Sequence, residues 1–167
     1  KLFVLDLGLL QAMANVSAKE VLTDENFFSE YKGAFTEQFV AQELIANKET
    51  LYYYSKENST LELDFIVQKD VVYPIEVKAE ENVKSKSLKT VYDADHALCP
   101  VRFSMLGYKK QEWMENVPLY ASIVVPANRD RPFSTHPRKN KRYLHHDIPS
   151  VHIVPTFDAL YNPTLFD

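Results

Sequence analysis

An α/β domain with a mixed central sheet flanked by helices is what this sequence predicts, and three observations carry the prediction. From Gly33 to Ala46 the apolar residues recur at a helical interval. The stretch Leu61 to Lys78, LELDFIVQKDVVYPIEVK, alternates as two adjoining strands do. A second helical stretch marked by Leu88, Val91 and Tyr92 then leads into a further apolar strand, so helices and strands take turns along the chain.

The elements follow in order. Leu2 to Leu5 predicts a short strand and Leu7 to Met13 a helical turn. A start at Lys1 that runs straight into apolar residues reads as a piece of a longer chain. Ser17 with Glu20 three residues later has the form of a capping box for a short helix. Asn26 to Tyr31, with Phe27, Phe28 and Tyr31, is expected to pack against the main helix that begins at Gly33. Thr50 to Tyr54 is the first core strand, rich in aromatic and β-branched residues, and Lys56 to Ser59 turns into the next. After Lys78 the polar stretch AEENVKSKS precedes the second helix. Ala97 to Ser104 is the strand after it, Trp113 belongs to the core, and LYASIVV is a final apolar run.

Composition narrows the function classes. The 167 residues include 46% hydrophobic and 13% aromatic residues, enough to bury a substantial core. No apolar run approaches the length of a membrane span and no secretory pattern appears, so a cytoplasmic setting without membrane contact is expected. One cysteine, Cys99, excludes an internal disulfide, and no histidine nearby in sequence recommends it as a nucleophile. The net charge of −4 argues against a surface basic throughout. The basic residues are uneven: residues 1–125 hold 13 Lys or Arg against 19 Asp or Glu, and residues 126–167 hold 6 against 4.

The chemistry concentrates in the 61–78 hairpin. Glu76 and Lys78 project to one side of their strand while Ile75 and Val77 face the other. In the partner strand Leu61, Leu63, Phe65 and Val67 form one row and Glu62, Asp64, Ile66 and Gln68 the opposite one. If Gln68 pairs with Val72 across a turn of Lys69, Asp70 and Val71, the antiparallel register sets Asp64 opposite Glu76. Two carboxylates that close repel unless a positive charge lies between them, and a divalent ion with hard oxygen ligands, Mg²⁺ or Mn²⁺, suits the position. Lys78 would point at the same spot. The plainer alternative in the same register is a solvated strand face in which Glu62 pairs with Lys78.

A third acid stands on the helix. On a helical wheel Glu37 falls within the arc of Val40, Ala41 and Leu44, on the core-facing side. Three surroundings would satisfy it there: a nearby metal, an ion pair with a lysine or arginine, or a rim position that reaches water.

The order of a helix with an inward glutamate, a strand, a strand with aspartate and a strand with Glu-x-Lys, then helix and strand, resembles the core of the PD-(D/E)xK nuclease superfamily. Within it the chain is similar to the nuclease-like domain that follows an AAA-type ATPase module in many bacterial and archaeal proteins. The similarity lies in Gly33 to Leu44, Pro74 to Lys78, Arg102 to Ser104 and Val117 to Tyr120, and covers about residues 1–125. The resemblance implies a restriction-endonuclease-like sheet, with Asp64 and Glu76 as metal ligands and Lys78 as the catalytic lysine. Glu37 matches the helix glutamate of resolvase-like members, as a further catalytic and metal-binding acid. Leu63 stands where the family name carries proline. The implied activity is Mg²⁺- or Mn²⁺-dependent hydrolysis of DNA beside an upstream AAA-type ATPase region. The alternative is an inactive nucleic-acid- or protein-binding module of that ATPase.

Lys84, Lys86 and Lys89 read either as a solvated helix face or as phosphate anchors beside the metal, with Arg102 as a further nucleic-acid contact. The remaining residues 126–167 form a second unit, a basic, loop-rich extension in which a nucleic-acid arm, a solvated tail and a segment docking back through Tyr143, Leu144 and VHIVP are the readings. His145, His146 and His152 match no zinc spacing.

Overall fold

The computed structural model describes residues 1–17, 19, 25–56, 60–80, 84–122 and 151–153. Glu20 of the expected capping box, residues 57–59 of the turn that begins at Lys56, and Tyr143, Leu144, His145 and His146 lie outside them. Helices α1 (Leu7–Met13), α2 (Glu25–Ala46) and α3 (Lys86–Ala94) accompany strands β1 (Leu51–Ser55), β2 (Glu62–Gln68), β3 (Val72–Lys78), β4 (Val101–Ser104), β5 (Lys109–Lys110), β6 (Glu115–Pro118) and β7 (Val151–Ile153). The strands form one mixed sheet in the order β5-β6-β4-β3-β2-β1-β7. β3, β4 and β6 run parallel, and the other pairings are antiparallel. This is the mixed α/β architecture that the sequence predicts. No helix among the described residues is long and apolar enough to cross a membrane.

The two faces of the sheet bury different things. Against α2 lie Phe65, Val67, Tyr73, Ile75, Val77, Val101, Phe103 and Val117, which close over Val40, Ala41 and Leu44. On the α3 side a smaller cluster gathers Leu63, Ile66 and Leu88, with Trp113 partly buried against it. Because side chains alternate, the α3 side also receives Glu76 and Lys78 from β3, Arg102 and Ser104 from β4, and Asn116 from β6. A polar row thus runs beneath α3.

The β2–β3 hairpin has the expected register, Gln68 opposite Val72 through Phe65 opposite Ile75, around the turn Lys69, Asp70 and Val71. Elsewhere the chain departs from its local pattern. Leu2 to Leu5 joins no strand, because Gln38 of α2 takes both backbone groups of Val4, accepting from its N–H at 3.0 Å and donating to its carbonyl at 2.9 Å. Asn26 to Tyr31 is the first part of α2 rather than a segment packed on it. Nothing between Glu25 and Ala46 breaks a helix, and Gly33 alone is too weak an interruption. Ala97 to Pro100 is loop ahead of β4, held by Ala97 N–H to Asp95 and Cys99 N–H to the Val72 carbonyl. Leu63 leaves the Phe65 and Val67 row for the α3 side, where β2's pairing with β1 shifts by one residue between Tyr52 and Tyr54. Val151–Ile153 pairs with β1, which accords with a docked C-terminal segment.

Candidate functional site

The site lies where the regular β2–β3 ladder ends. Beyond Phe65 and Ile75 the Asp64 side chain replaces a backbone acceptor, its Oδ2 receiving the Val77 N–H at 2.8 Å. Its Oδ1 lies 2.7 Å from Lys1 Nζ, and the same ammonium reaches Glu37 Oε2 at 3.1 Å and Glu62 Oε1 at 3.2 Å. Asp64 and Glu37 are therefore brought together, and a lysine is the charge between them. The hairpin register alone would aim Asp64 at the face of Glu76. The shifted strand instead turns it into the seam toward α2, while Glu76 lies under α3.

Glu76 is buried, at 6% exposure. Lys78 Nζ contacts its Oε1 at 3.0 Å, and its Oε2 has no hydrogen-bond partner among the described residues. Glu62 pairs with Lys1 rather than with Lys78, so the cross-strand pair of the plainer alternative is replaced by a long-range pair, Lys1 with Glu62, and a local one, Lys78 with Glu76. Among the described residues no three His, Cys, Asp or Glu are arranged to hold a metal ion.

Arg102 is interior, also at 6% exposure, and this corrects its expected place on a nucleic-acid surface. Its Nε donates to Asn116 Oδ1 at 2.8 Å and one terminal nitrogen reaches Ser85 Oγ at 3.3 Å. Asn116 Oδ1 also accepts from Ser104 Oγ, and its amide donates to the Leu106 and Gly107 carbonyls. The arginine thereby ties the start of α3 to β6. Burial lowers its pKa, partly opposed by the neighbouring Glu76 charge. Lys84 and Lys86 are exposed at the start of α3, while exposed Lys89 is paired with Asp93 at 2.7 Å and lies 5.3 Å from the ring centres of Tyr92 and Trp113.

The acid cluster carries excess negative charge, three carboxylates around one ammonium. For Lys1, burial works to lower the pKa, but Asp64 and then Glu37 outweigh it and the net shift is upward. For Glu37, burial and the Asp64 charge raise the pKa above the usual 4.5, against the pull of Lys1. A raised carboxyl pKa means that the folded state holds the proton more tightly than the unfolded chain does. Its contribution to stability is full below about pH 4.5 and is lost as pH rises through the folded value. Glu37→Gln should accordingly remove this group's contribution to the pH dependence of stability, so that the variant gains less, or loses more, than the parent between neutral pH and 4.5, read by urea unfolding at several pH values. An unchanged pH slope would contradict this account of Glu37.

Sequence reasoning missed Lys1 as the partner of the acids, and Asn116 as a hub. Asn116 carries a signal, a polar residue between Met114 and Val117 in a short buried strand. So do Gln38 and Gln42, one turn apart on α2, which bind the backbone of Val4 and Leu7. Lys1 carries none, since only the path of residues 1–7 brings it to the cluster.

No curated protein matches the chain. Among solved structures, one similar chain comes from the refined half-complex of a tetradecameric assembly of Thermococcus gammatolerans McrB AAA+ hexamers with bound McrC. The identity is 17% and the TM-score 0.38, over 57% of this chain and 30% of that one, so this chain spans less than a third of that protein's length. Residues 32–128, more than half of the sequence, match the model of the family described as domain of unknown function DUF4143, and the chain belongs to that family.

Proposed function

We propose that the domain is a Mg²⁺- or Mn²⁺-dependent phosphodiesterase acting on DNA, the nuclease-like part of an ATPase-linked cytoplasmic protein. The observation that carries this reading is the buried Glu76 Oε2 without a donor, on the strand whose Val77 N–H binds Asp64. A buried carboxylate oxygen without a partner is costly, and a cation or an ordered donor is what relieves it.

The donor types suit a small hard ion, and one ion shared by both carboxylates would require Asp64, now turned toward α2, to swing toward Glu76 under α3. Asp64 and Glu76 offer carboxylate oxygens and Val77 a carbonyl, and one or two carboxylates with waters are what such ions commonly take from a protein. Glu37 would act on the ion through water or at a second ion. When bound, the metal would polarise a phosphate and make a bound water more acidic. Lys78, already at the Glu76 carboxylate, would orient the attacking water and offset charge that builds on the phosphate oxygens. Lys84 and Lys86 would position the DNA backbone without reading its sequence. The ATPase partner rests on the resemblance of the 33–44 and 74–78 segments to ATPase-linked domains.

A second reading, an inactive binding module, is favoured by Lys1, which gives the acids a cation of their own. Cleavage assays separate the two. Labelled DNA should be cut in Mn²⁺ and spared in EDTA, and Lys78→Met should slow the cut about a hundredfold or more while leaving the rise in Tm with Mn²⁺ in place. A rise in Tm with no cleavage of DNA or RNA would leave the binding module.

A further inference from the structure

We infer that residues 1–7 are an intrachain latch that seats the Lys1 ammonium among Glu37, Glu62 and Asp64, so that a divalent cation enters in competition with it. The inference rests on the metal reading above and adds its regulation. Lys1 Nζ lies within 3.2 Å of all three carboxylates. An ammonium there supplies the charge that a hard cation would supply, and the two cannot share Asp64 Oδ1.

The segment that delivers Lys1 is built to hold a position yet is lightly attached. Gln38 fastens Val4 by two hydrogen bonds, and Gln42, one turn further along α2, accepts from the Leu7 N–H at 2.9 Å. Phe3 packs on Phe65 at 5.4 Å between ring centres. Leu2 and Leu5 between these anchors remain largely exposed, and no β-ladder fixes the segment to the sheet. Peeling it away would uncover Asp64 and Glu37 and give up the Phe3 contact with Phe65, while leaving the Val67 and Ile75 core closed over α2. A site open only part of the time binds its ligand more weakly in proportion to the open fraction. Any contact that pulled on residues 1–7 would thus tune metal affinity.

The test is calorimetric titration of the whole chain with MnCl₂ alone. Lys1→Gln should tighten binding by about tenfold or more, and Gln42→Ala, which keeps every acid and Lys1 itself, should tighten it several-fold. Binding of Mn²⁺ at the parent affinity in both folded variants would overturn the latch and leave the metal site standing. Absence of Mn²⁺ binding in the parent and in both variants would overturn the metal reading, and the latch with it. Should Lys1→Gln fail to fold, Gln42→Ala decides alone.

Discussion

Replacing Arg102 with methionine is expected to lower the unfolding free energy by about 3 kcal/mol, a large share of a small domain's stability. The side chain is buried and gives charged hydrogen bonds to Asn116 and Ser85, so it joins β4, β6 and the start of α3 through one group. Hydrogen bonds from a charged group contribute more than neutral ones, about 1.5–3 kcal/mol. Methionine fills the volume but leaves Glu76 buried without the neighbouring guanidinium charge. Removing one member of a buried charge group costs more than removing all of it, so adding Glu76→Gln to Arg102→Met should recover part of the loss. Urea unfolding of the parent, the single and the double variant measures both. A single-variant loss below about 1 kcal/mol, or no recovery in the double, would mean that Arg102 is not the tie described.

Asp64→Asn should weaken Mn²⁺ binding by more than about a hundredfold and remove DNA cleavage, with little change in fold stability. Partners outside the ligand shell of a metal are already worth about 10–100-fold in affinity, so a ligand itself is worth more. Asparagine is preferred to alanine because its amide oxygen still accepts the Val77 N–H, the contact that closes the end of the β2–β3 ladder. Lys1 keeps Glu37 and Glu62 as partners in the variant. Unchanged Mn²⁺ affinity in a folded Asp64→Asn protein would take Asp64 out of the site.

The parts of the fold that were legible in the sequence are those fixed by short-range rules. The β2–β3 register followed from a three-residue turn and the parity of the flanking strands, and the core face of α2 from the spacing of Val40, Ala41 and Leu44. What was not legible depends on distant partners. Leu2 to Leu5 has a strand's composition, but Gln38 takes the hydrogen bonds of Val4 that a ladder would need. The start of α2 was hidden because Gly33 looks like a boundary in sequence and is only a modest cost within a long helix. Leu63 obeys alternation until the shifted pairing with β1 turns it to Leu88. Glu37 was legible as an acid on the apolar arc, and its ion pair was one of the surroundings open to it, yet nothing local names Lys1. Arg102 illustrates the same limit: it was expected as a nucleic-acid contact at the surface, and Asn116 with Ser85 holds it inside.

Anomalous diffraction from crystals soaked in MnCl₂ tests the central claim most directly. A manganese peak is expected at about 2.0–2.2 Å from carboxylate oxygens of both Asp64 and Glu76, with Lys1 Nζ withdrawn from Asp64 Oδ1 and the Asp64 side chain turned toward Glu76. A map without a peak there at saturating manganese, with the lysine still seated among Glu37, Glu62 and Asp64, would contradict it.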